Sequence, residues 1–157
     1  MSIYYISGIS GAVPLTADSA MGSLWNPSST KRIKVLELCS FYQTGTALTA
    51  PYQVYISRIT ARGNATTTIT PTAANDAEGV TAPTSGALLD VTYLTTWPTL
   101  AGAPYMITPM IYQSGHGQGF CYPLPRGIWV PPGRGLALVQ ANADNSSGHT
   151  TSFVWEE

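Results

Sequence analysis

The segment Arg32 to Tyr42, RIKVLELCSFY, is the longest uninterrupted run of strand-forming residues in the chain, and it follows a tight turn, Trp25-Asn26-Pro27-Ser28-Ser29-Thr30. A strand shows alternate residues to opposite faces. Strict alternation therefore puts Ile33, Val35, Cys39 and Phe41 on one side and Arg32, Lys34 and Ser40 on the other. Glu37 breaks the apolar side, and Leu36 and Leu38 break the polar one. Two arrangements satisfy this pattern. Either a β-bulge near Val35 flips the phase, or both faces are covered, with Ile33 and Val35 in the strand's own core and Leu36 and Leu38 offered to a neighbouring subunit.

The other signals are also short and extended. Ser2 to Ser7, SIYYIS, reads as a strand followed by Gly- and Ala-rich coil to Ser23, so residues 1–23 read as an N-terminal extension. In the turn ahead of Arg32, the Asn26 side chain is suited to bond the backbone ahead of it and Pro27 fixes φ. Pro51 to Ala61 alternates Tyr52, Val54 and Ile56 against Gln53, Tyr55 and Ser57, a second clear strand. From Arg62 to Asp90 the chain turns to Thr, Ala, Gly and Pro with few large apolar residues, which reads as a long arm or loop, 62–90, extended over another surface. Shorter strands follow at Val91–Thr95, Tyr105–Gln113 (broken by Pro109), Phe120–Tyr122, Ile128–Val130, Leu136–Ala141 and Thr150–Trp155, with Pro131 to Gly135 as a rigid reversal. No window of about eleven residues carries the i, i+3, i+4, i+7 spacing of an amphipathic helix. About eight short strands at uneven spacing, with long crossovers, predict a single all-β domain over residues 1–157. The expected form is a Greek-key jelly-roll sandwich or barrel with little or no helix.

Composition narrows the function. Only 10% of residues are charged, and seven Lys and Arg against eight Asp and Glu give a net charge of −1, so no basic field exists to neutralise phosphates and no nucleic-acid partner is expected. Such weak repulsion favours association. The one basic cluster, Lys31, Arg32 and Lys34, reads as a solvated strand edge that discourages strand addition. No apolar run reaches the roughly 20 residues of a membrane-spanning helix, and the N-terminus lacks the basic start and apolar stretch of a signal peptide. Cys39 and Cys121 have no CxxC spacing. They read as buried free thiols, with a disulfide between neighbouring strands as the alternative, and no metal or cofactor is expected.

Catalytic chemistry finds little material. His116 and His149 both sit in Gly- and Ser-rich turn contexts and read as surface histidines; pairing one with Asp144 and a serine lacks any GxSxG elbow. Of Glu37, Asp76, Glu78, Asp90 and Asp144, only Glu37 lies in a regular strand, which leaves no rigid carboxylate pair. Asn142, Asp144 and Asn145 lack the Gly and bidentate Glu of a calcium loop, and Gly133-Arg134-Gly135 is too short to cradle phosphate. The expectation is a non-enzyme. Trp25, Trp97, Trp129 and Trp155 each stand at a strand end, where they read as lids on the core. Their other reading, stacking platforms for sugars, supports the alternative of a carbohydrate- or receptor-binding module such as a fibre tip or lectin.

Three stretches, LWNPSSTKRIKVLELCSFY, YISRITARGNATTTITPTAANDAEG and GIWVPPGRGLALVQANADNSSGHTTSFVWEE, resemble jelly-roll capsid decoration (cement) proteins of tailed phages. The shared features are a Trp-Asn-Pro turn before the first long strand, a Thr-rich arm ending in Pro, and a Pro-Gly-x-Gly-Leu turn before a last hairpin closed by Trp-Glu-Glu. The resemblance implies a virion protein made in the host cytoplasm and mounted on the capsid surface, a homotrimer that binds the major capsid protein and fastens neighbouring capsomers. On that reading the contact candidates are Ile3, Tyr4 and Tyr5 near the N-terminus, Leu36 and Leu38 in the first long strand, and Thr66, Thr68, Ile69 and Pro71 in the arm.

Overall fold

The computed structural model describes residues 2–10, 18–44, 52–73, 85–102, 110–112, 119–141 and 148–157. Among them the chain is all-β: β1 (Ile3–Ile9), β2 (Ser19–Asn26), β3 (Ile33–Thr44), β4 (Tyr52–Ala61), β5 (Asn64–Ile69), β6 (Thr72–Ala73), β7 (Leu88–Thr96), β8 (Thr99–Leu100), β9 (Met110–Tyr112), β10 (Gly119–Val130), β11 (Arg134–Gln140) and β12 (Gly148–Glu156). They form two antiparallel sheets. One has five strands in the order β10-β3-β12-β1-β6; the other runs β5-β7-β2-β11-β4-β8, with β9 also paired to β4. The expected all-β sandwich is the observed architecture.

Alternation explains which residues meet between the sheets. Tyr4 and Ile6 of β1, Phe153 and Trp155 of β12, and Ile33, Val35 and Leu38 of β3 face Met21 and Leu24 of β2, Leu136 and Leu138 of β11, Val54 and Ile56 of β4, and Leu89 and Val91 of β7 in one core. Tyr4 stacks on Trp155 with ring centroids 5.6 Å apart. A second, smaller cluster (Ala20, Ile59, Tyr93, Ala137 and Val139, with Trp25, Trp97 and Leu100 packed against it) lies on the opposite side of the seven-stranded sheet. Each large side chain buried in this way contributes roughly 1.5–3 kcal/mol.

The phase break in β3 is a bulge. Val154 of β12 faces Glu37 while the next residue, Trp155, faces Val35, so Leu36 is the extra residue and alternation restarts on the other foot. Ile33, Val35 and Leu38 consequently all point inward, and Glu37, Cys39 and Phe41 outward. β10 accommodates the same irregularity with a register shift between Pro123 and Ile128, where Gly127 takes the left-handed φ of 61° that favours glycine.

Four expectations need correction. Residues 1–23 are not an extension: β1 and the start of β2 are interior parts of the two sheets. Among the described parts of 62–90, β5 pairs with β7 and β6 pairs with β1, so this stretch lies along its own sandwich, lengthening each sheet by its edge. The cluster Lys31, Arg32 and Lys34 does not guard an edge, because β10 covers β3 on that side. Lys34 instead pairs with Glu156 (3.3 Å), Lys31 with Glu157 (3.9 Å), and Arg32 lies over the Trp129 ring (4.2 Å). Finally, the two cysteines are joined in a disulfide. They occupy directly opposed positions on β3 and β10 with Cα atoms 4.1 Å apart, the close spacing of a non-hydrogen-bonded antiparallel pair.

Candidate functional site

The outward side of the five-stranded sheet is built as four rows, each crossing β1, β12, β3 and β10 in register. The first row is Ile9, Thr150, Phe41, Gly119; the second Ser7, Ser152, Cys39, Cys121; the third Tyr5, Val154, Glu37, Pro123; and beyond the bulge the fourth is Ile3, Glu156, Lys34, Trp129. Alternation along β1 turns Tyr4, Ile6 and Gly8 inward and leaves Ile3, Tyr5 and Ile9 exposed in a line, at 38%, 49% and 62%. Half-buried Val154 lies beside Tyr5 on β12, and half-buried Phe41 stands in the row of Ile9 with Thr150 between them. The disulfide ties the middle of the face, and Ser152 bonds Ser7 beside it (2.9 Å). Charge is sparse: the Lys34–Glu156 pair, Glu37, and Arg32 stacked on Trp129. A face with few charges and with exposed Ile3, Tyr5 and Ile9 along β1 has the composition of a protein–protein contact, where charged groups are depleted and aromatic residues enriched.

The nine predicted contact residues fall into three groups. Ile3, Tyr5, Thr66 and Thr68 are exposed, Leu36 and Ile69 half-buried, and Tyr4, Leu38 and Pro71 buried. Tyr4 and Leu38 belong to the core, which corrects their assignment as contacts: Tyr4 faces inward by alternation, and Leu38 faces inward because of the bulge. Thr66 and Thr68 use their hydroxyls at home, donating to Thr92 O (2.9 Å) and to the Asp90 carboxylate (2.7 Å). Ile9, Phe41, Val154 and Trp129 were not anticipated. Continuing the alternation of Ile3 and Tyr5 by two steps finds Ile9; the others become neighbours only through strand pairing.

The titratable groups are dispersed or structural. Asp90, fully buried on β7, accepts from Arg62 Nη2 (2.6 Å) and Nε as well as from Thr68, and this contact raises the Arg62 pKa further. Beside it the Tyr93 hydroxyl bonds Ser23, and burial, with a smaller contribution from the Asp90 charge, pushes the phenol well above its ordinary 10.0. Burial, then the hydrogen bond to Asp18, raises Tyr55 likewise. His149 is not a surface residue: it is fully buried in β12 against Tyr42. His116, Asp76, Glu78 and Asp144 lie outside the described residues, and Glu37 and Asp90 stand on different sheets. Trp155 is buried, Trp25 and Trp97 are half-buried, and exposed Trp129 has a guanidinium over its ring. The bulged part of β10 borders an open depression of about 360 Å³ lined by Tyr122, Leu124, Pro125, Arg126 and Gly127, with one charged group.

No protein family, curated protein or solved structure matches the chain. The site therefore stands on its own geometry: an all-β sandwich with exposed apolar residues on the outer side of its five-stranded sheet.

Proposed function

We propose that the protein is a non-enzymatic structural module of a virion, a capsid decoration protein that seats the outer face of its five-stranded sheet on an assembled shell or on neighbouring copies of itself. The observation that carries this reading is the exposure of Ile3, Tyr5 and Ile9 on the outer side of β1, with Val154 in the row of Tyr5 and Phe41 in the row of Ile9. Two features support it. The strand orders β1-β12-β3-β10 and β2-β11-β4-β9, with β5 to β8 inserted before β9, are compatible with the two Greek keys of a jelly roll, an architecture that recurs in capsid and lectin domains. A disulfide on the exposed face suits a protein that works outside the reducing cytosol, as a virion surface does. Lattice repetition then multiplies a modest contact per copy.

The test is binding of the purified protein to mature capsids of the phage that encodes it. The wild type co-sediments with them and raises their disruption temperature. The Tyr5→Ser, Ile9→Ser double variant loses both effects while its own stability changes by no more than about 0.5 kcal/mol per site, as for exposed positions. Absence of binding by wild type at high concentration, or undiminished binding by the variant, overturns the proposal. A glycan-array signal that disappears in Trp129→Ala would redirect it to the carbohydrate-binding alternative.

A further inference from the structure

The disulfide has a third neighbour that its structural role does not use. Glu37 precedes Cys39 by two residues on β3 and so shares its face, while Cys121 stands directly across from Cys39 on β10. One carboxylate oxygen and the two sulfurs all lie within 4.8 Å of one another. The Glu37 oxygen is 3.7 Å from Cys39 Sγ, and among the described residues no cation or N–H donor pairs with it, although the residue is half-buried. A carboxylate held part-way out of water without a partner is unfavourable. The bulge at Leu36 is what creates this arrangement: without it, the alternation of Ile33 and Val35 would carry Glu37 into the core, and bulges commonly re-aim a side chain beside a functional position.

We propose that the reduced protein binds one zinc-class ion through Cys39 Sγ, Cys121 Sγ and a Glu37 carboxylate oxygen, so that metal and disulfide are alternative occupants of one position. Two thiolates select a borderline or soft ion such as Zn²⁺ over Mg²⁺ or Ca²⁺, and three protein ligands leave the fourth tetrahedral position to water. Once the S–S bond opens, side-chain rotation lets the sulfurs separate to the roughly 3.8 Å that two ligands 2.3 Å from one tetrahedral ion require. The backbone need not move, since the strand pairing already holds the two cysteines opposite each other. The exposed Cys121 gives the ion access. In balanced form, a dithiol reductant gives two electrons and two protons to the disulfide and closes to its own disulfide, leaving two thiols on the protein. The ion then displaces both thiol protons to water, forming two metal–sulfur bonds and one metal–oxygen bond. A disulfide oxidant then takes two electrons from the two thiolates and two protons from water and leaves as two thiols, which restores the protein S–S bond and expels the ion.

The test uses the full chain, reduced with a dithiol, freed of it anaerobically and titrated with Co²⁺. Two free thiols by assay and an unchanged near-ultraviolet circular dichroism spectrum establish that the reduced protein is folded. The expected result is one Co²⁺ per chain with visible bands of tetrahedral cobalt and a thiolate charge-transfer band, displaced by equimolar Zn²⁺ and absent from the oxidised protein. Cys121→Ser abolishes the charge-transfer band, and Glu37→Gln weakens binding by about tenfold or more. A folded, reduced protein without the thiolate spectrum, the same spectrum from the oxidised protein, or unchanged affinity in Glu37→Gln overturns the three-ligand site. None of these readouts depends on capsid binding.

Discussion

Removing the Cys39–Cys121 link should be the largest single perturbation of stability available without disturbing the core. The cysteines are 82 residues apart in sequence, so the bond closes a long loop in the unfolded chain. The chain-entropy relation gives about 15 cal/mol/K for a loop of that length, or about 4.5 kcal/mol at 25 °C. Both cysteines are already placed opposite each other by strand pairing, so reduction leaves the native contacts in place and the loss falls on the unfolded ensemble. With an unfolding entropy of about 330 cal/mol/K for 157 residues, 4.5 kcal/mol corresponds to a Tm lower by about 14 °C. Differential scanning calorimetry of the oxidised protein, the reduced protein and Cys39→Ala, Cys121→Ala measures this directly. The reduced protein and the double variant should agree within a few degrees, since an alanine removes one sulfur each from buried Cys39 and exposed Cys121. A Tm drop below about 3 °C, with two free thiols confirmed, would refute the account, because the link would then constrain nothing that the unfolded chain explores. Zinc at about 100 times its Kd should restore about 2.7 kcal/mol, or about 8 °C, to the reduced protein and nothing to the double variant.

Arg62→Ala strands the fully buried Asp90 carboxylate with Thr68 alone and should cost about 3–5 kcal/mol in urea unfolding; a cost under 1 kcal/mol would mean that water reaches Asp90. Gly135→Ala places a Cβ in contact with the Leu24 carbonyl oxygen across the β11–β2 ladder, so the strands must part, at about 1–3 kcal/mol; an unchanged Tm would show that the sheet yields freely. Tyr55 and Tyr93 have folded-state pKa values raised above their ordinary 10.0, so their contribution is intact below pH 10 and is lost as the pH climbs beyond it. Tyrosinate absorbance should show buried Tyr93 ionising only together with loss of the circular dichroism signal, and its early ionisation in a folded protein would contradict its burial.

Sequence reasoning succeeded where one strand's own alternation carries the information. β3 and β4 stand out as amphipathic runs, and the turn chemistry of Asn26 is realised: its Nδ2 donates to Lys31 O (2.9 Å) and Val130 O (3.2 Å), and its Oδ1 accepts from Ser28 N (3.2 Å). β2 was hidden because SAMGSLWN lies between two strands under a close opposite sheet, where small residues are required: a Cβ on Gly22 would sit 2.9 Å from Thr151. β5, NATTTI, was hidden because an edge strand exposed on most of its length carries threonines rather than apolar alternation. β10 was divided in two by Pro123 and Pro125, which an edge strand tolerates since its outer N–H groups have no ladder to join. The contact face was legible along β1 alone. Its other columns depend on which strands pair, and that is decided by nonlocal register.

The way the sheet edges are finished bears on how such a protein meets a partner. The five-stranded sheet ends on one side in β10, where two prolines and the shift between Pro123 and Ile128 interrupt the backbone row, and on the other in β6, whose pairing with β1 spans only Tyr4 and Tyr5. Among the described residues, neither of these edge strands pairs or extends as a long regular template for strand addition, the usual route by which a weakly charged β-protein aggregates. The face between them is the reverse: continuous, fixed by a cross-strand disulfide, apolar along β1 and nearly free of net charge. For the five-stranded sheet this favours face packing, which requires a shape-complementary partner, over edge pairing, which any extended chain can satisfy. This separation predicts that charge placed on the face, as in Tyr5→Lys, suppresses specific assembly without provoking fibre formation, whereas Pro123→Val, Pro125→Val restores a regular edge on β10 and promotes thioflavin-positive aggregation at unchanged face chemistry. Equal aggregation of the two variants would show that the edges were never the controlled element.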